Sequence, residues 1–256
     1  YKYCFIMASV STRQHLLNNF IDSARKSKYC NAEYYLYYQQ ISNDPISFDR
    51  TFFKCIHYSQ KRDGVCLSRM YWLHILDNYD FYIIVDDDME FLGKEDFETM
   101  MNFSAATNDC GLICGEYKNR RMFFDKAVPR NQIVVINMQF IEGGTVIKKS
   151  IRDLLIKEIL LKRFAFDTFC ITTFISGFTN YQYCGSIVLH KVTNGNQGFA
   201  YVARHSDEFE DDEDLFKRYM RQIKYEDGYL RLPKKEKDLT DEAFMLHNKN
   251  QKKVLA

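Results

Sequence analysis

The alternation of strand and helix patterns in the first part of the chain restricts its fold more than any other feature. Tyr3–Val10 is a continuous apolar run, which is typical of a strand buried on both faces of a sheet. Apolar positions then recur at the helical period between Leu16 and Ala24, and Glu33–Gln40 has the composition of a second strand. Since strand, helix and strand in succession form a right-handed crossover, we predict an α/β fold with a mostly parallel central sheet flanked by helices.

The same alternation continues along the chain. Val65–Leu76 has a helical pattern, and the aromatic and β-branched run Phe81–Val85 predicts a short strand. Gly111–Cys114 and Gln132–Asn137 are also predicted to be strands. In open sheets of this kind ligands bind beyond the carboxyl ends of the strands, so residues that follow a predicted strand are the first candidates for a site.

Polar residues indicate where the helices begin. We predict that Ser11 or Thr12 caps the first helix and that Ser150 caps a later one, because hydroxyl oxygens accept hydrogen bonds from the first turn. Asp167 is predicted to open a further helix that ends near Gly177. A carboxylate is stabilised at a helix N-terminus, and glycine readily takes the conformation that ends a helix.

The composition of the 256 residues narrows the class of protein. Hydrophobic residues make up 46%, and with only 3 Pro and 11 Gly the chain is predicted to be globular. A net charge of +1 gives no reason to expect a polyanion as a general partner. Eight cysteines without a Cys-x-x-Cys pair are typical of buried free thiols in a reducing compartment, so we expect a cytoplasmic protein. No run approaches the roughly 20 apolar residues of a transmembrane helix.

Three adjacent carboxylates, Asp86, Asp87 and Asp88, follow the predicted strand Phe81–Val85 directly. Like charges so close together cost free energy unless a cation compensates them. Alternate side chains of a strand point the same way, so we expect Asp86 and Asp88 to converge while Asp87 faces elsewhere. Carboxylate oxygens suit Mg²⁺ and Mn²⁺, which leave positions open for phosphate oxygens. A solvated turn or the start of a helix is the alternative interpretation.

This pattern resembles the glycosyltransferases of the GT-A fold, and especially the inverting family 2, in which an apolar strand runs into an Asp-x-Asp motif. Asp63–Arg69 resembles the Gly-x-x-x-Ala-Arg-Asn segment of that family, with Met70 where Asn is usual. Glu142–Ser150 is similar to its glycine turn, strand and following helix. The resemblance covers residues 3–192 and implies a Rossmann-like GT-A domain.

A third similarity lies further along the chain. The family has an acidic residue that opens a helix, then a helix-ending glycine, then a strand that ends in His. Asp167, Gly177 and the strand Ile187–Leu189 before His190 resemble this order. We therefore expect the catalytic domain to comprise residues 1–195. The remaining residues, 196–256, are expected to form a helical or irregular C-terminal extension packed on the same domain.

The resemblance implies a metal-dependent sugar transfer. Asp88, and Asp86 directly or through water, would bind Mn²⁺ or Mg²⁺, with His190 as a third ligand. Asp167 would be the base that takes a proton from the acceptor hydroxyl. The family usually has a Glu-Asp pair here, and Phe166 replaces the Glu, which leaves a retaining mechanism open.

The resemblance also implies a nucleoside-diphosphate sugar, most commonly a UDP-sugar, as the donor. The residues that would contact it are Ser9, Ser11, Arg13, Arg69, Asp86, Asp87, Gly143 and Gly144. The acceptor is left open among a glycan, a lipid, a protein and a modified nucleobase. Basic residues within Lys118–Arg130 would suit an anionic acceptor, and a solvated loop is the alternative.

Two other classes of protein fit the carboxylate cluster. A two-metal phosphoryl-transfer enzyme, such as a nuclease or nucleotidyltransferase, also uses clustered carboxylates, but it needs further acidic ligands at other strand ends. A non-catalytic module that binds a sugar or nucleotide would share the fold, because a fold does not by itself confer activity. Substitution of Asp88 distinguishes these classes from a transferase.

Overall fold

The computed structural model describes residues 1–60, 63–118, 131–136, 143–158, 169–170, 172–174 and 176–191, with two short strands at 224–226 and 229–231. The chain divides into two compact units, of which the first comprises residues 1–120 and 129–192. The two short strands belong to the second unit and pair with each other antiparallel. No helix within the described ranges is long and apolar enough to cross a membrane.

Four parallel strands form one half of the central sheet. β1 (Tyr3–Val10) lies between β2 (Glu33–Gln39) and β4 (Phe81–Asp86). β3 (Cys55–Ser59) pairs with the other side of β2 and lies at the edge of the sheet. The predictions for β1, β2 and β4 are confirmed, because their apolar runs are buried on both faces. β3 was not predicted, since its partly exposed side chains show no apolar run.

The other half of the sheet mixes directions. β8 (Thr145–Lys148) pairs antiparallel with both β4 and β6 (Cys110–Tyr117), and β6 pairs parallel with β9 (Thr179–His190). β5 (Met89–Phe91) and β7 (Ile133–Val135) each pair antiparallel with β9. Among the nine strands that the described residues contribute to this sheet, β1, β2, β3, β4, β6 and β9 therefore point the same way. The prediction of a mostly parallel sheet is confirmed.

Helices cover both faces of the sheet. Their bounds are α1 (Gln14–Arg25), α2 (Gly64–Ile75), α3 (Phe97–Ala106) and α4 (Lys149–Glu158). The neighbouring residues Tyr34 and Tyr35 of β2 point to opposite faces. The Tyr34 ring lies 6.0 Å from Phe20 of α1, whereas the Tyr35 ring lies 5.2 Å from Trp72 of α2. α1 and α2 therefore lie on opposite faces, as right-handed crossovers on either side of the sheet require.

The predicted helix caps Ser11 or Thr12 and Ser150 are wrong. Ser11 begins a short 3₁₀ turn, and α1 starts after it at Gln14 with Arg13 in the cap position and no side-chain cap. Ser150 lies inside α4, because β8 ends at Lys148 and the chain enters the helix at the next residue. A strand that leads directly into a helix leaves no loop in which a capping serine would sit.

The described cysteines are free thiols, and most are buried, as predicted. None of those that the structure describes forms a disulfide, and the buried ones are Cys4, Cys110, Cys114, Cys170 and Cys184. Cys30 and Cys55 are exposed. The buried thiols act as small apolar side chains within the core.

Candidate active site

The carboxyl ends of β1, β4 and β9 meet at one edge of the sheet. Ser9 lies near the end of β1, Asp86 ends β4 and His190 ends β9. β5 begins at Met89, directly after the Asp cluster, and Met89 pairs with His190 across the antiparallel ladder. This short pairing holds the turn formed by Asp87–Asp88 beside His190, so residues distant in the sequence come together at the expected edge.

Asp87 is the buried member of the cluster, with only 2% of its side chain exposed. The Ser9 hydroxyl donates a hydrogen bond of 2.6 Å to Oδ2, and Arg13 Nη2 lies 3.0 Å from Oδ1. Burial raises the pKa of the Asp87 carboxyl, and the nearby Arg13 charge opposes that shift. Both carboxylate oxygens have partners within the protein, so Asp87 anchors Arg13 at the sheet edge.

Asp88 links Arg13 to His190. Arg13 Nη2 donates a short hydrogen bond to Asp88 Oδ2, and His190 Nε2 lies 3.4 Å from the same oxygen. Burial alone would raise the pKa of the Asp88 carboxyl, but the contacts with His190 and Arg13 outweigh it and lower the pKa. Burial alone would lower the pKa of the Arg13 guanidinium, but the neighbouring carboxylates Asp87 and Asp88 outweigh it and raise the pKa. Asp88 is therefore a stable anion at neutral pH.

Asp86 pairs with a different arginine. Its Oδ1 accepts a hydrogen bond from Nη2 of Arg69 on α2, and the side chain of Asp86 is 25% exposed whereas that of Arg69 is 3% exposed. Because β4 ends at Asp86, strand alternation does not extend to Asp87 and Asp88. The observed grouping differs from the predicted one, since Asp87 and Asp88 share Arg13 while Asp86 contacts Arg69.

Ser9→Ala is expected to lower the free energy of unfolding by about 1–3 kcal/mol, because it leaves a buried carboxylate oxygen without its donor. Urea-induced unfolding of the variant measures this loss. Ser150→Ala, at an exposed position in α4, is the matched control and should change stability by less than about 0.5 kcal/mol. Equal losses in the two variants would contradict the role of Ser9.

Ser11 lies in a polar loop contact at the ends of β1 and β2. Its Oγ accepts a hydrogen bond of 3.0 Å from the backbone N of Ser42 and lies 2.9 Å from the Ser42 hydroxyl. The Ser42 hydroxyl also lies 2.8 Å from Asp44 Oδ2. Sequence reasoning missed both residues, because Asn43-Asp44-Pro45 indicates only a turn. Their position after a parallel strand was the observation that could have found them.

The aromatic neighbour of His190 was also missed. The Tyr117 ring at the end of β6 lies 4.9 Å from the imidazole, centre to centre. Since β6 and β9 are parallel neighbours, their last residues meet at the same edge of the sheet. This contact restricts the orientation of the imidazole, and it depends on a strand pairing that no local pattern reveals.

Gly143 and Gly144 form the predicted turn, each with a φ of +87°. A Cβ on Gly143 would lie 2.6 Å from the carbonyl carbon of Gly115, and one on Gly144 would lie 2.7 Å from the ring of Phe97. Gly115 N donates a hydrogen bond of 2.9 Å to the oxygen of Gly144. The two glycines thus allow close packing within the protein, and their predicted contact with a donor sugar stays a prediction.

Two predicted sites lie wholly or mostly outside the described residues. The proposed base Asp167 falls in the undescribed range 159–168. Of the basic segment Lys118–Arg130, the structure describes only Lys118, whose backbone N donates to the oxygen of Val188 (2.8 Å). The described residues therefore do not test the roles predicted for Asp167 and for the basic segment, and both stay predictions.

The donor atoms of Asp88 and His190 fit a divalent cation. An ion that binds oxygen and nitrogen at about 2.0–2.2 Å holds neighbouring ligand atoms about 3 Å apart, which is close to the observed 3.4 Å. Among the described residues, no group of three or more His, Cys, Asp or Glu side chains is arranged to hold a metal. An ion held by this pair would take its other ligands from phosphate or water, as Mg²⁺ commonly does.

Comparison with known proteins gives matches in structure and none in sequence. No family model and no curated protein sequence matches the chain. S. aureus TarS residues 1–349 in complex with UDP-GlcNAc superposes with a TM-score of 0.58 at 14% identity, over 88% of this chain and 68% of that one. The mannosyltransferase PcManGT from Pyrobaculum calidifontis, in complex with GDP-Man and Mn²⁺, gives a TM-score of 0.55 at 12% identity, over 81% and 61%. Both are GT-A glycosyltransferases. The chain has the GT-A fold.

The GT-A fold confirms the predicted architecture. A fold does not by itself determine the activity, which depends on the residues of the site. At 12–14% identity these matches show the fold alone. The chain also spans only 43% of the longer TarS structure that it matches. The side chains at the carboxyl edge of the GT-A sheet, Asp86–Asp88 with Arg13, Arg69 and His190, are therefore the basis for a function.

Proposed function

We propose that this chain is a metal-dependent glycosyltransferase that moves a sugar from a nucleoside-diphosphate sugar to an acceptor hydroxyl. The observation that carries the proposal is the convergence of Asp88 Oδ2 and His190 Nε2, 3.4 Å apart, at the carboxyl edge of a GT-A sheet. Arg13 contacts Asp88, and Arg69 contacts the neighbouring Asp86. A carboxylate and an imidazole suit Mn²⁺ or Mg²⁺, and guanidinium groups suit phosphate oxygens.

The charges of the cluster support the need for a cation. Three aspartates and two arginines give a formal charge of −1 when His190 is neutral. A diphosphate is an anion, so this cluster would repel it at short range. One divalent cation changes the formal charge to +1 and makes the same edge attractive to the donor.

The residues take separate roles in this proposal. Asp88 and His190 hold the metal ion, and Asp86 joins them directly or through water. When bound, the ion supplies a Lewis acid that stabilises the negative charge of the departing diphosphate. Arg69 is fixed by Asp86 and contacts the diphosphate, and Asp87 acts on the donor through Arg13.

The remaining donor contacts come from the neighbouring loops. Ser9, near the end of β1, and Ser11, directly after it, lie on the side where the nucleoside is expected. Gly143 and Gly144 lie before β8, on the side of the donated sugar. A UDP-sugar is the donor that we favour. The two matched enzymes were solved with UDP-GlcNAc and with GDP-Man, which supports a nucleotide sugar without selecting its base.

The proposed chemical step is a displacement at the anomeric carbon of the donated sugar. The acceptor hydroxyl oxygen attacks the anomeric carbon of the sugar, and the bond from that carbon to the diphosphate oxygen breaks with its electron pair. Asp167 takes the proton of the hydroxyl as the new bond forms. Attack from the face opposite the leaving diphosphate inverts the configuration of the anomeric carbon. The acceptor is a glycan, lipid, protein or modified nucleobase, and an anionic one would meet the basic segment Lys118–Arg130.

We assign the protein to the cytoplasm, which its buried free thiols support.

The test is the thermal stability of the purified protein against a panel of nucleotide sugars, with and without Mn²⁺. A ligand that binds only the folded state raises the melting temperature, by an amount that corresponds to about 2.7 kcal/mol at a hundredfold excess over Kd. We expect one nucleotide sugar to raise the melting temperature of the wild type in Mn²⁺ and to have little effect in EDTA.

The panel also separates the competing functions. Stabilisation by a nucleotide sugar without any release of nucleotide or transfer of sugar would indicate a binding module. Stabilisation by nucleic acid or a nucleoside triphosphate, and by none of the nucleotide sugars, would instead support a phosphoryl-transfer enzyme and would overturn the proposal.

A further inference from the structure

Arg13 occupies the carboxylate oxygen that a metal ion would need. Its Nη2 donates a hydrogen bond to Asp88 Oδ2, and this is the same oxygen that faces His190 Nε2 at 3.4 Å. A cation between Asp88 and His190 would therefore meet the guanidinium group at close range. Like charges at that distance repel each other strongly, and more so where burial reduces screening by water.

Arg13 has a second carboxylate partner, Asp87. The same Nη2 lies 3.0 Å from Asp87 Oδ1, and Ser9 fixes the other oxygen of Asp87 at 2.6 Å. Arg13 can therefore release Asp88 and keep one carboxylate as its anchor. Its side chain is 17% exposed, so part of it is accessible from solvent.

We propose that Arg13 is a positioning residue that competes with the divalent cation for Asp88 and gives way when the diphosphate of the donor arrives. The proposal rests on the function proposed above. In the ligand-free protein Arg13 holds Asp88 and keeps metal affinity low. In the donor complex the guanidinium group turns from Asp88 to a phosphate oxygen, for which its planar donors are well suited, and the cation takes its place.

Competition of this kind makes metal and nucleotide bind cooperatively. The diphosphate draws the Arg13 guanidinium group away from Asp88 and so raises the affinity of the site for the cation. By reciprocity, the cation raises the affinity for the diphosphate by the same factor. Without Arg13 the carboxylate is free in both states, so the cooperativity should fall. Competition between Arg13 and the cation for Asp88 would prevent the protein from retaining a metal ion when no donor is present.

The test measures Mn²⁺ binding to the full chain by electron paramagnetic resonance of the free aquo ion, with and without UDP. Arg13→Gln is expected to bind Mn²⁺ about tenfold more tightly than the wild type in the absence of UDP, because it removes the competing charge. The increase in Mn²⁺ affinity caused by UDP should be several times smaller in the variant. Because UDP binds Mn²⁺ in solution, Asp88→Asn titrated at the same UDP concentration supplies the background.

Two further variants keep the result interpretable. Arg25→Gln removes an exposed arginine of α1 that pairs with Asp49, and it should leave Mn²⁺ affinity unchanged. Arg13→Lys keeps a charge for Asp87 on a shorter side chain without the planar guanidinium group, so it should hold Asp88 less firmly and bind Mn²⁺ about threefold more tightly than the wild type. This variant tests the proposal if Arg13→Gln does not fold. Unchanged or weaker Mn²⁺ affinity in a folded Arg13 variant, with binding that depends on Asp88 in the wild type, overturns the competition alone. Absence of Asp88-dependent binding in every protein, with and without UDP, overturns the metal role in the proposed function as well.

Discussion

Asp88→Asn is expected to lower the rate of sugar transfer or donor hydrolysis by about 10³-fold or more. Loss of the carboxylate charge removes the metal ligand that faces His190, and a metal Lewis acid contributes several kcal/mol to the stabilisation of a leaving diphosphate. Each 1.4 kcal/mol corresponds to about a factor of ten in rate. Release of nucleotide from the donor identified by the thermal panel measures the effect without knowledge of the acceptor. The Mn²⁺-dependent rise in melting temperature should disappear in the same variant.

Two further substitutions serve as comparisons for Asp88→Asn. Asp22→Asn, at an exposed position on α1, is the matched control and should keep full activity. Asp167→Asn should lose transfer but keep metal-dependent stabilisation by the donor, because a base that acts on the acceptor is not needed to bind the donor. If Asp88→Asn retains activity within threefold of the wild type, about 0.7 kcal/mol in barrier height, the cluster does not hold a catalytic metal.

The strands next to the site were predictable because burial on both faces leaves a local mark in the sequence. Tyr3–Val10 and Phe81–Val85 contain almost no polar residue until the carboxyl end, where the Asp cluster begins. A parallel sheet brings the carboxyl ends of these two strands to one edge, so Ser9 and the Asp cluster lie at the same edge. The 2.6 Å hydrogen bond between them is a direct consequence of this topology.

The pairing of individual charges was not predictable from the same patterns. Which carboxylate each arginine contacts depends on where β4 ends and on the turn that follows, and a one-residue difference exchanges Asp86 for Asp87. The strand β5 after the cluster has only three residues and is held by its pairing with β9, so no local periodicity marks it. A strand was expected within Glu142–Ser150, but the antiparallel direction of β8 between β4 and β6 likewise depends on long-range pairing.

The close approach of β6 to the glycine turn is the second feature that the sequence could not show. Gly143-Gly144 in the sequence indicates a turn and nothing about its neighbours. In the structure Gly143 lies against the backbone of Gly115 and Glu116, in the strand that leads to Tyr117 and so to His190. The integrity of this turn therefore affects both the fold and the geometry of the candidate metal site.

Gly143→Ala is expected to lower the free energy of unfolding by about 2–5 kcal/mol. A left-handed backbone conformation costs a non-glycine residue about 1–2 kcal/mol, and forcing a methyl group into a packed site typically costs about 1–3 kcal/mol more. Here the new Cβ would lie 2.6–2.7 Å from three backbone atoms of Gly115 and Glu116. Backbone atoms in a paired strand cannot move aside as a flexible side chain can. Urea-induced unfolding of the variant measures the loss.

Gly93→Ala separates the two causes of that loss. Gly93 has a φ of +71°, close to the +87° of Gly143, but a Cβ there would meet no atom within 4 Å. It should therefore lose only the conformational part, about 1–2 kcal/mol. A larger loss in Gly143→Ala then measures the contact with β6. If the two variants lose the same free energy, β6 and the turn must separate at little cost, and the packing that connects Gly143 to the His190 side of the site would not be the rigid contact inferred here.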